Sequence, residues 1–466
     1  MLLSFKIANF LSICEPQEII FTEGFDQKSD SYGIHNISDG KYKILKTMAF
    51  YGANASGKSN LIKALQFVRK YIIQGASKIQ SGDKISDNFN YKPFLLKKSS
   101  LKEPSLFEIN FLVYNKDLKI YVRYQYGFLI DNNIIHKEWL LAFPSNRGQT
   151  WFTRERQNWQ FNKNYGGEVN LNSVIAKQTA ENVLFLSKAG GQQNHPLLKD
   201  LFLWFRDTLK IIDFSPPFQN IRFTTELAFK NPDAFKFVKN LMLKSDLGVS
   251  NLSVDYKKIA IKDLDDENEK AFYSQHFQEL KEVPIIKVNL SHSAELENTF
   301  NINFEDESEG TKRIYSFAGP CFETLATGQV LIVDEFGASL HPLLAKELVN
   351  LFNSSINKNF AQLLFVTHDT HILSPGVLRR DQVWFVNKNI SGATEYTSLW
   401  DYRPSKEEAI EKGYLLGRYN GIPYVDNIIT AFQDDEANTN DNKNSTNKSK
   451  KKISHKKTKS RDLYNL

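Results

Sequence analysis

Gly52-Ala53-Asn54-Ala55-Ser56-Gly57-Lys58-Ser59 fits G-x-x-x-x-G-K-[ST] at every fixed position. Glycines let a backbone curl until successive N–H groups converge on phosphate oxygens. A helix starting where the loop ends adds unpaired N–H groups and the positive end of its dipole. In that arrangement Lys58 reaches the β- and γ-phosphates of ATP, and the Ser59 hydroxyl ligates Mg²⁺. Gly52, Asn54, Gly57, Lys58, Ser59 and Asn60 are the candidate nucleotide-binding residues. A Gly/Ser-rich turn that fits by chance is the alternative, and the flanks argue against it. Lys46–Tyr51 is short and apolar enough for a buried strand, and apolar residues at 61, 62, 65 and 68 have helical spacing.

Three stretches of the second half could complete such a site. Leu331-Ile332-Val333-Asp334-Glu335 is an apolar strand ending in two carboxylates. Asp334 would hold the metal, and Glu335 could act as general base on the attacking water. Read alone, the pair is equally a strand reaching solvent. Phe365-Val366-Thr367-His368-Asp369 is a strand ending at a histidine. His368 could hydrogen-bond a γ-phosphate or the lytic water, or simply cap a surface turn. Ser308-Glu309-Gly310-Thr311-Lys312-Arg313 precedes apolar positions 314, 317, 321, 322 and 325. Ser308 is a good helix N-cap, and a helix start carrying Ser and Gly is also a phosphate-binding surface.

The elements that must position these residues read as follows. Residues 1–22 alternate like one or two strands, and 23–45 form a loop or hairpin. Residues 105–163 carry the alternation and β-branched, aromatic content of an antiparallel meander. From 171 to 250 the pattern turns helical. The charged stretch 261–282 is either a solvated helix or a flexible arm. Residues 300–400 alternate strand and helix, which predicts a mostly parallel sheet with its ligand beyond the strands' C-terminal ends.

Composition sets the outer bounds. The chain has 466 residues, 41% hydrophobic and 24% charged, a globular profile with room for two or three units. No run of about 18 apolar residues is present, so no membrane span is expected, and the first residues lack the features of a signal peptide. Cys14 and Cys321 offer neither a disulfide framework nor metal-ligand spacing. A cytoplasmic location is expected. The net charge of +6 is concentrated in residues 434–466, where nine Lys/Arg face five Asp/Glu; the rest of the chain carries only +2. That tail is Asn/Ser/Thr/Lys-rich and reads as disordered.

The order of motifs resembles the ABC-type ATPase heads of the SMC, RecF and OLD group. It is more closely similar to bacterial AAA-type ATP-binding proteins of abortive-infection and phage-defence modules. The text that carries this is Gly-Ala-Asn-Ala-Ser-Gly-Lys-Ser-Asn, Ser-Glu-Gly-Thr-Lys-Arg, Asp-Glu-Phe-Gly-Ala-Ser-Leu-His-Pro, Thr-His-Asp, the segment 378–386 and Gly-Arg-Tyr-Asn-Gly-Ile-Pro at 417–423. The resemblance implies an α/β fold: an ABC-type P-loop core built from 1–75 and 300–425, an antiparallel β subdomain at 76–170, and a helical arm or lid at 171–299. It also implies a head-to-tail homodimer or higher homo-oligomer. Ser308 and Gly310 of one subunit would then cap the γ-phosphate held by Gly57, Lys58 and Ser59 of the other. Asp334 matches the metal-binding acid, Glu335 the base and His368 the switch histidine, while Ser339 falls in the loop that crosses the interface. Glu309 stands where transporter-type signatures have glycine, which argues against a transporter. Gln125 and Gln178 are both candidates for the glutamine loop.

The function this implies is an ATPase switch that controls a separate effector protein, a nuclease or toxin. The alternative is an ATP-dependent DNA- or RNA-binding sensor or clamp, with the Lys-rich tail supplying phosphate contacts. A metabolic kinase would need an acceptor pocket and would give Ser308 no role.

Overall fold

The computed structural model describes residues 1–24, 32–145, 147–163, 169–213, 218–263, 270, 282–293, 299–405 and 408–422. The chain opens with β1 (Leu2–Ala8), β2 (Gln17–Ile20) and the hairpin of β3 (Ile34–Ile37) and β4 (Tyr42–Leu45). The apolar run before the glycine-rich loop forms β5 (Thr47–Gly52), buried at every residue. A strand covered on both faces has no reason to alternate, hence its nearly continuous apolar text. Helix α1 (Lys58–Lys78) follows and turns Leu61, Ile62, Leu65, Val68 and Ile72 inward, the stripe that the 3.6-residue period selects.

Strands β6 (Ser105–Asn115), β7 (Ile120–Ile130), β8 (Ile135–Phe143), β9 (Gln149–Glu155) and β10 (Asn158–Phe161) make the expected meander. The sheet does not stop at residue 76. β1 pairs with β6 and β2 with β1, giving seven antiparallel strands in the order β10-β9-β8-β7-β6-β1-β2. Alternation in residues 1–22 marks strands but cannot name their partners.

A buried ion pair ties this sheet to the chain that follows. Glu138 and Arg154 lie 3.5 Å apart with fully buried side chains. Glu138 accepts from the Tyr126 hydroxyl at 2.8 Å and from the backbone N–H groups of Phe185 and Leu186 at 2.9 and 3.2 Å. Arg154 donates to the carbonyls of Val183 and Ala180 at 2.7 and 3.0 Å. Burial pushes the Glu138 carboxyl pKa up while the guanidinium opposes the shift. Every lone pair and proton has a partner, as such a pair requires.

The region expected as a helical arm is mixed. It contains α2 (Val169–Lys177), α3 (Leu198–Leu203), β11 (Leu209–Asp213), α4 (Phe218–Lys230) and α5 (Pro232–Lys244), then β12 (Val249–Ala260) and β13 (Glu282–Ser293). β14 (Thr299–Ile302) completes an antiparallel sheet with β12 and β13. Most of the charged stretch 261–282 lies outside the described residues, as does the whole tail 434–466.

The remainder is α6 (Glu309–Thr327), β15 (Val330–Asp334), α7 (Pro342–Asn353), β16 (Gln362–Val366), β17 (Val383–Lys388), β18 (Thr394–Ser398) and α8 (Ile410–Leu415). The core sheet runs β11-β15-β16-β5-β17-β18, parallel throughout except for β18. β11 therefore belongs to the core rather than to a helical arm. Its five residues continue an apolar pattern that reads as helix until β15 offers them a strand partner.

Candidate nucleotide-binding site

β5, β15 and β16 are adjacent and parallel, so Gly52, Asp334 and Thr367-His368 emerge together at one edge of the sheet. This is where an open α/β sheet places ligands. α1 begins at the same edge, capped by Gly57 at φ 106°. A side chain could not occupy either fixed glycine. A Cβ on Gly57 would lie 2.1 Å from Thr394 Oγ1, and one on Gly52 would lie 2.3 Å from the Val386 carbonyl oxygen.

Lys58 is buried, and its Nζ donates to the carbonyls of Gly52 and Ala53 at 2.9 and 2.8 Å. Burial lowers its pKa to about 8, against the pull of Asp334. Ser59 Oγ donates to Asp334 Oδ1 at 3.2 Å, and the same oxygen accepts from the Glu335 N–H at 3.1 Å. Glu335 is exposed at φ 55°, directly after β15. Its turn is pinned to β16: the Phe336 N–H donates to the Val366 carbonyl at 2.8 Å, and Thr367 Oγ1 donates to the Phe336 carbonyl at 2.8 Å. His368 follows. Its pKa is lowered by burial and by Lys58, with Glu335 and Asp334 opposing. Lys58, Ser59, Asp334, Glu335 and His368 thus share one electrostatic neighbourhood.

Ser308 caps α6 as its sequence predicts, its Oγ accepting from the Thr311 N–H at 3.1 Å. A Cβ on Gly310 would sit 3.1 Å from the Ser339 carbonyl oxygen, so the Ser-x-Gly turn and the 337–341 loop meet. Among the described residues no hydrogen bond joins Ser308 or Gly310 to the glycine-rich loop of the same chain, and none joins Gln125 or Gln178 to it. Asn54 is exposed on that loop. The Asn60 amide donates to Ser12 Oγ at 2.6 Å.

That last bond belongs to a brace the sequence did not reveal. Ser12 Oγ and Thr394 Oγ1 are 2.6 Å apart. Thr394 Oγ1 also donates to the Ser56 carbonyl at 2.8 Å, and its N–H donates to the Ser12 carbonyl at 2.7 Å. The Tyr396 hydroxyl donates to the Gly57 carbonyl at 2.9 Å. Ser12 and Thr394 belong to no spacing motif, so nothing in the linear text could have found them.

The residues fit a bound nucleotide. Among the described residues Ser56 Oγ is buried within the loop without a hydrogen-bond partner, and the Lys58 amine donates to two neutral carbonyls and no carboxylate. They also fit Mg²⁺. Among the described residues no group of three or more His, Cys, Asp or Glu could hold a metal. Mg²⁺ needs only one or two protein oxygens when phosphate and water supply the rest, and Ser59 with Asp334 provides them.

A glycine-rich phosphate loop on a mostly parallel sheet, with an acid and a histidine at the ends of neighbouring strands, marks an α/β P-loop nucleotide-binding fold. The chain belongs to the family described as "AAA domain, putative AbiEii toxin, Type IV TA system", whose model matches residues 48–374. Among solved structures it is similar to the SMC head domain of Thermotoga maritima (12% identity, TM-score 0.38, covering 85% of this chain and 98% of that one). It is also similar to a Pyrococcus yayanosii Smc head with a coiled coil and joint (12%, TM-score 0.39, 89% and 99%). The recombination mediator RecF with ATP is a further match (15%, TM-score 0.34, 85% and 97%). No curated protein matches the sequence.

Proposed function

We propose that this protein hydrolyses ATP at a site shared by two copies of the chain, and that closing and opening of the pair controls a separate effector protein. The observation that carries this reading is the Ser59–Asp334 hydrogen bond. It joins the phosphate loop to the carboxylate strand across 275 positions of sequence and brings the expected metal ligands together. Lys58 would neutralise phosphate charge once its amine turns from the loop carbonyls. Ser59 and Asp334 would hold Mg²⁺, which supplies charge neutralisation between phosphate oxygens. Glu335 is exposed beside them and would take a proton from the attacking water. His368 would donate to a terminal phosphate oxygen.

Among the described residues neither Ser308 nor Gly310 is hydrogen-bonded to its own chain's loop, and Gly310 lies against Ser339, which supports a role toward the loop of a second copy. The effector is proposed to be a nuclease or toxin encoded separately, in a cytoplasmic setting. Among the described residues no helix is long and apolar enough to cross a membrane. The alternative, a nucleic-acid sensor, depends on the 434–466 tail.

The test is the solution mass of Glu335→Gln by light scattering, with and without Mg-ATP, beside the double variant with Ser308→Arg. The expected result is ATP-driven doubling of mass that Ser308→Arg blocks. A monomer that binds ATP yet never associates would remove the shared site.

A further inference from the structure

Phe94 is buried and plugs the start of a loop, residues 92–103, that is tied down along its length. The Phe94 N–H donates to Asn9 Oδ1 at 3.0 Å, and the Asn9 amide donates to the carbonyls of Ser100 and Glu103, both at 2.7 Å. Ser100 Oγ lies within hydrogen-bond reach of the carbonyls of both Phe94 and Lys97 and can donate its one proton to either. A loop held this firmly could have turned its aliphatic side chains inward, yet it presents them to solvent. Leu95 is 62% exposed, Leu96 70% and Leu101 55%. The tip of the β17–β18 hairpin packs beside them, since a Cβ on Gly392 would lie 2.7 Å from Leu96 Cδ1. It adds Ile390, which is fully exposed.

Lysines surround these four aliphatic residues. Lys92, Lys97, Lys98, Lys102 and Lys388 are all exposed, against Glu15, paired with Lys97 at 3.0 Å, and Glu103. An apolar cluster with a mainly positive rim on a rigid support marks an interaction site rather than scattered surface leucines. Another exposed aliphatic group among the described residues, Leu415, Leu416 and Ile422, borders residues outside the described set.

We infer that the Leu95–Leu96–Leu101–Ile390 patch is a docking surface for an acidic, aliphatic-bearing segment of a partner protein. The patch residues have neither the aromatic rings on which bases stack nor the arginines that fork onto phosphates. They also lack the Trp and Tyr anchors of a membrane interface. The apolar centre supplies affinity and the lysine rim selects acidic partners. The lysine-rich residues 443–461 of this chain have the wrong sign. The surface is independent of the proposed hydrolysis but adjoins its machinery: the Leu11 N–H donates to the Lys92 carbonyl at 2.9 Å, and Thr394, two residues after Gly392, holds the phosphate loop.

The test is selection from a displayed random 12-residue peptide library against the full-length protein. Counter-selection uses the triple variant Leu95→Ser, Leu96→Ser, Leu101→Ser, accepted only if its melting temperature and ATP binding match wild type. Peptides rich in Asp/Glu and aliphatic residues are expected. Synthetic copies should lose at least about tenfold in affinity on the triple variant and on Lys97→Glu with Lys98→Glu, and should weaken with salt. No enriched peptides, or peptides that bind both variants as well as wild type, would overturn the inference. So would a 20-nucleotide single strand, an anionic phosphatidylserine vesicle or ATP-driven self-association that depends on the three leucines, each naming a different occupant.

Discussion

Burial takes the Lys58 amine partly out of water, against the opposing pull of Asp334, and its pKa falls to about 8. Phosphate binding favours the charged amine. Raising the pH through 8 therefore leaves a growing fraction of the free protein with neutral Lys58, and ATP binding must weaken in that direction. Calorimetry at fixed Mg²⁺ should find a nearly constant Kd just above pH 7 and a rise approaching tenfold per pH unit beyond about 8. Lys58→Ala should bind far more weakly and without that slope. Glu335→Gln removes the proposed base but no proposed phosphate contact, so ATP should stay bound while turnover falls at least about 100-fold. Wild-type turnover in that variant would show that another group takes the proton. Asp334 and Glu335 were legible as residues because an apolar strand ending in two acids is a local pattern. The direct hydrogen bond from Ser59 to Asp334 was not, because a bond between positions 59 and 334 leaves no mark in linear spacing.

At the level of elements, the phosphate loop is held from outside. β18 contributes Thr394 and Tyr396, and the turn after β1 contributes Ser12. Thr394→Val keeps the shape but removes the hydroxyl bonds to Ser56 and Ser12, leaving buried polar groups unpaired at about 1–3 kcal/mol. The expected signature is a raised KM for ATP with a smaller change in kcat, restored by Thr394→Ser; equal changes in both would argue for a general loss of fold. The Glu138–Arg154 pair does the same work between the meander and residues 180–186. Glu138→Ala strands a buried guanidinium and should cost about 3–5 kcal/mol in denaturant unfolding. Meander strands were readable from alternation and turn residues. β11 was not, since a five-residue apolar run becomes a strand only when β15 lies beside it.

For the molecule as a whole, the fold leaves Ser308 exposed and Gly310 against Ser339, with no hydrogen bond among the described residues to their own chain's loop. A shared site predicts complementation. Lys58→Ala and Ser308→Arg should each be inactive, yet an equimolar mixture should recover about a quarter of wild-type activity, because each mixed pair contains one intact site. A mixture as inactive as its parents would place the whole site within one chain. Linear order was enough for the phosphate loop, the acid and histidine at the ends of their strands, and the Ser308 cap, because each is a local pattern in which neighbours in sequence are neighbours in space. The tertiary structure alone decided the rest. β1 joined the antiparallel sheet, β11 joined the parallel core, Ser12 and Thr394 closed over the loop, and Leu95, Leu96 and Leu101 were left uncovered. Strand partners, hydroxyl contacts across 382 positions and the exposure of a side chain depend on what distant chain packs nearby, and linear order does not contain that information.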